Sequence, residues 1–215
     1  LIIGGKQGFF MENSLVCRLL GVQVEKRDFQ SDEGAWQDLK DQINLNHPLL
    51  LQLDMGYLPY FPDLELFHFG GHFVNAFGYS ESINPEVLIG DNDFTESHKV
   101  PLEKVSLARG SKKGPKFMQP GRVRYTLSVR PDGKRPPFAA AVKLAIQQVV
   151  KNMLSPSISQ LGLPALKRFR DTIDDWPGSF TDSSMKPSEL IETIYGCIET
   201  WGTGGSIFRK LYLQF

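Results

Sequence analysis

Two of the chain's four histidines stand four residues apart in HFGGHFVNAFGYSESINPEVLIGDND, residues 68–93, and the stretch closes on Asp91-Asn92-Asp93. His72 opens an apolar run of strand length, a second run begins at Glu86, and SESINP between them supplies turn formers. Antiparallel pairing through that turn brings the start of the first run to the end of the second, so His72 meets Asp91. A carboxylate in that place holds an imidazole in one tautomer and makes it a general base. The same spacing also fits a strand-end histidine without chemistry, beside a turn capped by Asp91, Asn92 and Asp93. Asp93 is an alternative orienting carboxylate, because strand alternation puts it on the face of Asp91 and turns Asn92 away.

A zinc site would need His68 and His72 on one helical face, but Gly70 and Gly71 lie between them and β-like sequence follows. No metal and no cofactor are expected, and His68 is expected to be a bystander. His47 adjoins a strand start and His98 falls in a loop, where solvation is the ordinary state for both. GTGG at 202–205 precedes a helix-like segment as an anion-binding turn does, but it lacks the lysine and hydroxyl of a phosphate loop. A turn between helices is expected there.

Cys17 and Cys197 lie in helix-like apolar surroundings with neither CxxC nor metal spacing, which points to a reducing, cytoplasmic setting. No apolar run reaches membrane-spanning length and no signal-peptide pattern opens the chain, so no membrane partner is expected. With 215 residues, 41% of them apolar, a sizeable core is available.

A net charge of zero conceals segregation: residues 1–103 hold 16 acidic and 6 basic side chains, residues 104–135 hold 1 and 10, and the remainder 7 and 8. The basic island contains Lys104, Arg109, Lys112, Lys113, Lys116, Arg122 and Arg124. It either docks an acidic partner or complements the acidic first part of the same molecule. No recognition helix or stacking motif accompanies it, and nucleic acid is not expected.

The elements that must position these residues change character near residue 135. GFFMENSLVCRLLG reads as a helix ended by Gly21, VQVEKRDF as a strand, and the segment after the N-cap candidate Ser31 as a helix with Trp36, Leu39 and Ile43 on one side. PLLLQLDM has the composition of a strand buried on both faces, PLEKVSLARG of a short helix from Pro101, and RVRYTLSV of an outer strand. Beyond RPDGKRPP the strand signals stop. Phe138, Val142, Ala145, Val149 and Met153 form a helical stripe, and LPALKRFRDTIDDW and PSELIETIYGCIETWG repeat the pattern. The expectation is an α+β domain over residues 1–135 followed by a small helical subdomain over 136–215.

LIIGGKQGFFMENSLVCRLLGVQVE, AWQDLKDQINLNHPLLLQLDMGYLPYF and HFGGHFVNAFGYSESINPEVLIGDND, in that order, resemble the N-terminal domain of butirosin biosynthesis protein H and its relatives. VSLARGS and the closing WGTGGSIFRKLYLQF are similar to the helical domain that accompanies it. The resemblance implies a papain-like cysteine-nucleophile fold, with an antiparallel sheet and packed helices. It further implies an acyltransferase that moves an aminoacyl group from an acyl carrier protein to a small-molecule amine acceptor. The family's histidine matches His72 and its acidic residue Asp91. LDMGYLPYF resembles a family segment that runs from a buried strand into the active site, which puts forward Asp54 and Tyr57 for substrate recognition. Lys112, Lys113 and Arg122 are the candidates for carrier docking.

The family's nucleophile is a cysteine at a helix start upstream of the GG segment, in a region without a counterpart here; Cys17 lies after that segment. Two expectations follow. Either the cysteine belongs to an N-terminal piece of the same protein, which the start at Leu1 rather than at a methionine favours, or the chain is a pseudoenzyme that binds without turnover. A related amide hydrolase is the other enzymatic reading, because an acyl-enzyme yields to water when no amine is bound.

Overall fold

The computed structural model describes residues 15–62, 68–114, 116–157, 159, 161–179 and 186–196. The described residues up to Arg135 form one compact unit and those from Pro136 onward form another.

The first unit is α+β. Its elements are α1 (Leu15–Leu20), β1 (Val22–Asp28), α2 (Asp32–Asn44), β2 (Leu49–Leu53), a 3-10 turn at Met55–Tyr57, β3 (His72–Ser80), β4 (Glu86–Gly90), β5 (His98–Pro101), α3 (Leu102–Gly110) and β6 (Val123–Val129). Gly21 ends α1 with a φ of 71°, a left-handed conformation that a residue with a side chain adopts at a cost. Ser31 caps α2, its side chain accepting from the Gly34 amide at 3.1 Å.

The six strands make one antiparallel sheet in the order β1-β6-β2-β3-β4-β5. Leu49, Leu51 and Leu53 alternate to one face, and with Val74, Ala76, Val87, Ile89 and Val100 they form a layer that Leu39 of α2 and Val105 and Ala108 of α3 cover. At about 25 cal/mol per Å² of apolar surface removed from water, this layer is the main stabilising term of the unit.

Three sequence expectations need correction. RVRYTLSV is not an outer strand: β6 lies between β1 and β2, pairing with β1 from Val22↔Val129 to Asp28↔Val123 and with β2 through Leu50↔Tyr125 and Leu51↔Arg124. Its alternation comes from the far half, where Leu127 and Val129 are exposed, while Val123, Arg124 and Tyr125 are buried. PLLLQLDM is buried on one face only; Leu50 and Gln52 on the other are half-buried. His98 is not in a loop but opens β5, opposite Ile89 of β4.

In the second unit α4 (Phe138–Leu154) packs on α5 (Gly162–Thr172), followed by α6 (Trp176–Ser179) and α7 (Pro187–Tyr195). Phe138, Val142, Ala145, Val149 and Met153 all fall within α4. Cys197 and the GTGG segment at 202–205 lie outside the described residues.

Candidate functional site

Sheet register gathers the polar residues at one end. Leu53, the last residue of β2, pairs with His72, the first of β3; Asp91 follows Gly90, the last of β4, which pairs with Asn75; His98 opens β5. Asp54, His72, Asp91 and His98 therefore sit at the same end of the sheet, on neighbouring strands about 4.8 Å apart.

His72 Nε2 lies 2.6 Å from Asp91 Oδ2. The Asp91 side chain has no exposed surface and that of His72 is 11% exposed. A carboxylate accepts, so Nε2 carries the proton and Nδ1 is left with its lone pair. The Tyr60 hydroxyl donates to the same Asp91 oxygen at 3.0 Å, and the Asp93 amide donates to Oδ1 at 3.3 Å. Burial pushes the Asp91 carboxyl up. The hydrogen bond and charge of His72, the Asp93 amide and the Tyr60 hydroxyl together outweigh it and hold Asp91 below the usual carboxylate range. Burial, then the neighbouring Asp91 charge, raise the Tyr60 hydroxyl far above its ordinary value, so it stays a donor.

Aromatic rings enclose the pair. Phe61 meets the His72 ring edge-on at 5.7 Å, Phe94 packs against Tyr60 and Phe61, and Tyr60 stacks on His98 at 4.1 Å with 14° between planes. His98 Nε2 is buried without a hydrogen-bond partner. Such a wall limits water's access to the His72–Asp91 hydrogen bond, which is stronger there than in solvent.

Asp93 does not take the place of Asp91. The strand ends at Gly90, the chain turns, and both Asn92 and Asp93 are exposed.

His68, expected to be a bystander, has a carboxylate partner. Its Nδ1 lies 3.0 Å from Oδ2 of Asp54, whose side chain is fully buried. The Ser111 hydroxyl donates to that oxygen at 2.5 Å, and the Gly56 amide to Oδ1 at 3.1 Å. Asp54 thus has no surface to offer a substrate directly; His68, Ser111 and the Gly56 amide surround its carboxylate. Tyr57 lies with its ring 5.1 Å from the His68 ring. Gly70 stands between the two histidines where a Cβ would come within 2.5 Å of the Met118 carbonyl oxygen and 2.7 Å of Pro120, so only glycine lets the chain pass. Each histidine has its own carboxylate, and among the described residues no group of three or more His, Cys, Asp or Glu is arranged to hold a metal ion.

The basic island divides. Arg122 pairs with Asp32 at 2.6 Å, and Arg124, 2% exposed, bonds Asp38 at 2.9 Å and Glu25 at 3.2 Å. Arg109 is buried on the Ala35 carbonyl, and burial, only partly offset by Asp38 and Asp32, lowers its guanidinium to about 10. These three complement the acidic first part of the same unit. Lys104, Lys112, Lys113 and Lys116 are exposed. Lys112, Lys113 and Arg122 line a cleft of about 630 Å³ with Tyr57, Ser106 and Ser111.

Cys17 is 8% exposed on α1, which packs against β1. Three strand spacings, about 14 Å, separate β1 from β3. It is a buried apolar side chain, distant from His72.

Sequence reasoning passed over Tyr60, His98, Ser111 and the partner of His68. Tyr60 and Ser111 each carried a signal, their places in LDMGYLPYF and VSLARGS, but nothing local shows that Ser111 reaches Asp54 from 57 residues away.

Residues 2–92 match the family model described as butirosin biosynthesis protein H, N-terminal, and residues 103–215 match one described as a domain of unknown function, DUF4872. The chain belongs to the second family, and its residues 2–92 are similar to the first. The first match spans β3 and runs through Asp91, and it gives the chain a biosynthetic context. The second covers just over half the chain and includes Ser111, Lys112, Lys113 and Arg122, so the sheet end draws on both families. Because β6 falls within the second match and pairs between β1 and β2, the two stretches share one sheet. No curated protein matches the sequence.

Proposed function

We propose that the protein is an acyltransferase with a papain-like cysteine site, transferring an acyl or aminoacyl group from a carrier-protein thioester to an amine acceptor. The observation that carries this reading is the His72–Asp91 pair: one imidazole nitrogen is bound to a buried, depressed carboxylate and the other keeps its lone pair. The match of residues 2–92 supports the biosynthetic setting.

In the proposed reaction His72 Nδ1 takes the proton of a cysteine thiol, the thiolate attacks the thioester carbonyl, and His72 returns the proton to the departing carrier thiol. Asp91 holds the ring and offsets the imidazolium charge, with Tyr60 and the Asp93 amide fixing Asp91 in turn. The nucleophile is a cysteine brought to Nδ1 of His72; Cys17 sits on α1 against β1, itself three strand spacings from β3. Exposed Lys112 and Lys113 form the docking face for an acidic acyl carrier protein, with Arg122 tied to Asp32 behind them.

Intact-mass measurement after incubation with acyl-carrier thioesters tests the reading, on this chain and on any longer form. A covalent acyl adduct that His72→Ala prevents is expected of the longer form. Carrier binding without any adduct rejects transfer in favour of a non-catalytic module, and adduct turnover to free acid that amines do not divert favours an amide hydrolase.

A further inference from the structure

The His68–Asp54 pair lies outside the machinery just described, yet it is built to the same specification. The Asp54 carboxylate is fully buried and takes donors from Gly56, Ser111 and His68. Because His68 Nδ1–H donates to it, the lone pair of the neutral ring falls on Nε2. The His68 side chain is 24% exposed, about twice as open as His72. Its ring neighbour Tyr57 and its carboxylate's other partner Ser111 both line the 630 Å³ cleft. A cleft of that volume accommodates a small molecule.

An amine acceptor arrives at neutral pH as an ammonium ion, which has no lone pair with which to attack. Its conversion to an amide sheds two protons, and His72 Nδ1 takes only one of them. His68 precedes His72 by four residues, a span of at most about 14 Å, and Asp54 directly follows the Leu53 that pairs with His72.

We propose that His68, held by Asp54, is a second base at this end of the sheet and deprotonates the amine acceptor bound in the cleft. The inference rests on the transfer reading above. His68 Nε2 takes one proton from R–NH3+, giving R–NH2 and an imidazolium stabilised by Asp54. The amine nitrogen attacks the acyl carbon, the C–S bond breaks with its electron pair on sulfur, and the second nitrogen proton passes to His72. The products are the amide and the free cysteine, and His68 releases its proton to solvent.

Two nucleophiles separate this role from a structural one: ethanolamine, protonated at neutral pH, and hydroxylamine, largely unprotonated there. In the full-length protein loaded with an acyl group, His68→Gln should slow aminolysis by ethanolamine about 10²-fold and that by hydroxylamine less than about 3-fold. Equal losses with both amines, or no loss with either, overturn the role of His68 while the acyl-enzyme persists. A wild type that forms no acyl-enzyme instead overturns the transfer reading, and the amine role with it. Nitrogen-15 imidazole spectra supply an arm free of activity: the neutral ring of His68 should carry its proton on Nδ1 and leave Nε2 bare, and the opposite tautomer overturns the proposal.

Discussion

The two histidine–aspartate pairs at the end of this sheet use the same residue types in opposite orientations. His72 gives Nε2 to Asp91 and keeps Nδ1; His68 gives Nδ1 to Asp54 and keeps Nε2. His72 is the first residue of a strand and is boxed in by Phe61, whereas His68 precedes the strand and is more open. Their carboxylates differ as well. Asp91 follows a strand and is steadied by a turn amide and one tyrosine, while Asp54 ties β2, the 3-10 turn and the residue after α3 together. The lesson is that a motif of histidine and aspartate fixes neither reactivity nor tautomer. The element carrying the ring, and the surface it is denied, fix both.

Substitution can break that comparison most strongly at the ring that serves the nucleophile. His72→Ala or Asp91→Asn should reduce kcat/KM for acyl transfer by about 10²–10⁴-fold, with circular dichroism unchanged. The same loss from His68→Gln with hydroxylamine as acceptor would erase the distinction between the pairs.

Stability should rank the carboxylates the other way. Asp54→Ala strands a histidine, a serine and a backbone amide around a fully buried position and should cost about 3–5 kcal/mol in urea unfolding. Asp91→Ala, next to a turn, should cost about 1–3 kcal/mol. Tyr60→Phe keeps the stack on His98 and loses one donor to Asp91, for about 0.5–1.5 kcal/mol. A Tyr60→Phe cost equal to that of Asp54→Ala would contradict the ranking.

Acid sharpens the Asp91 half. Its carboxyl is depressed in the folded state, so its stabilising contribution is present above the unfolded value of about 3.9 and is lost as pH falls through the lower folded value. The stability gap between wild type and Asp91→Asn should be constant above about pH 5 and shrink below about pH 4. A gap that widens on acidification would show that the carboxyl is not held down. The smallest effect lies at the cleft's rim, where Lys112→Glu with Lys113→Glu should weaken binding of an acidic carrier more at low salt than at high salt. Binding unaffected by the reversal at any salt would remove these lysines from docking.

Much of this architecture was legible in the chain. Local signals placed α2 from Ser31 onward, the β3–β4 hairpin, and the meeting of His72 with Asp91, because hairpin pairing depends on sequence neighbours. What escaped depends on distant chain. RVRYTLSV alternates like an outer strand, and nothing local shows that it inserts between β1 and β2, where Arg124 is buried on Asp38. His68 looked idle because its partner Asp54 lies on the preceding strand's end, 14 residues back, and Ser111 arrives from the far side of α3. Strand alternation extended to Asp93 failed because the strand stops at Gly90.

Neutron diffraction from crystals grown near neutral pH would test the opposed pairs most directly, since it locates the ring protons. The structure predicts a proton on Nε2 of His72 with Nδ1 bare, and a proton on Nδ1 of His68 with Nε2 bare. A proton on Nδ1 of His72 and none between Nε2 and Asp91 would contradict the assignment of His72 as the base.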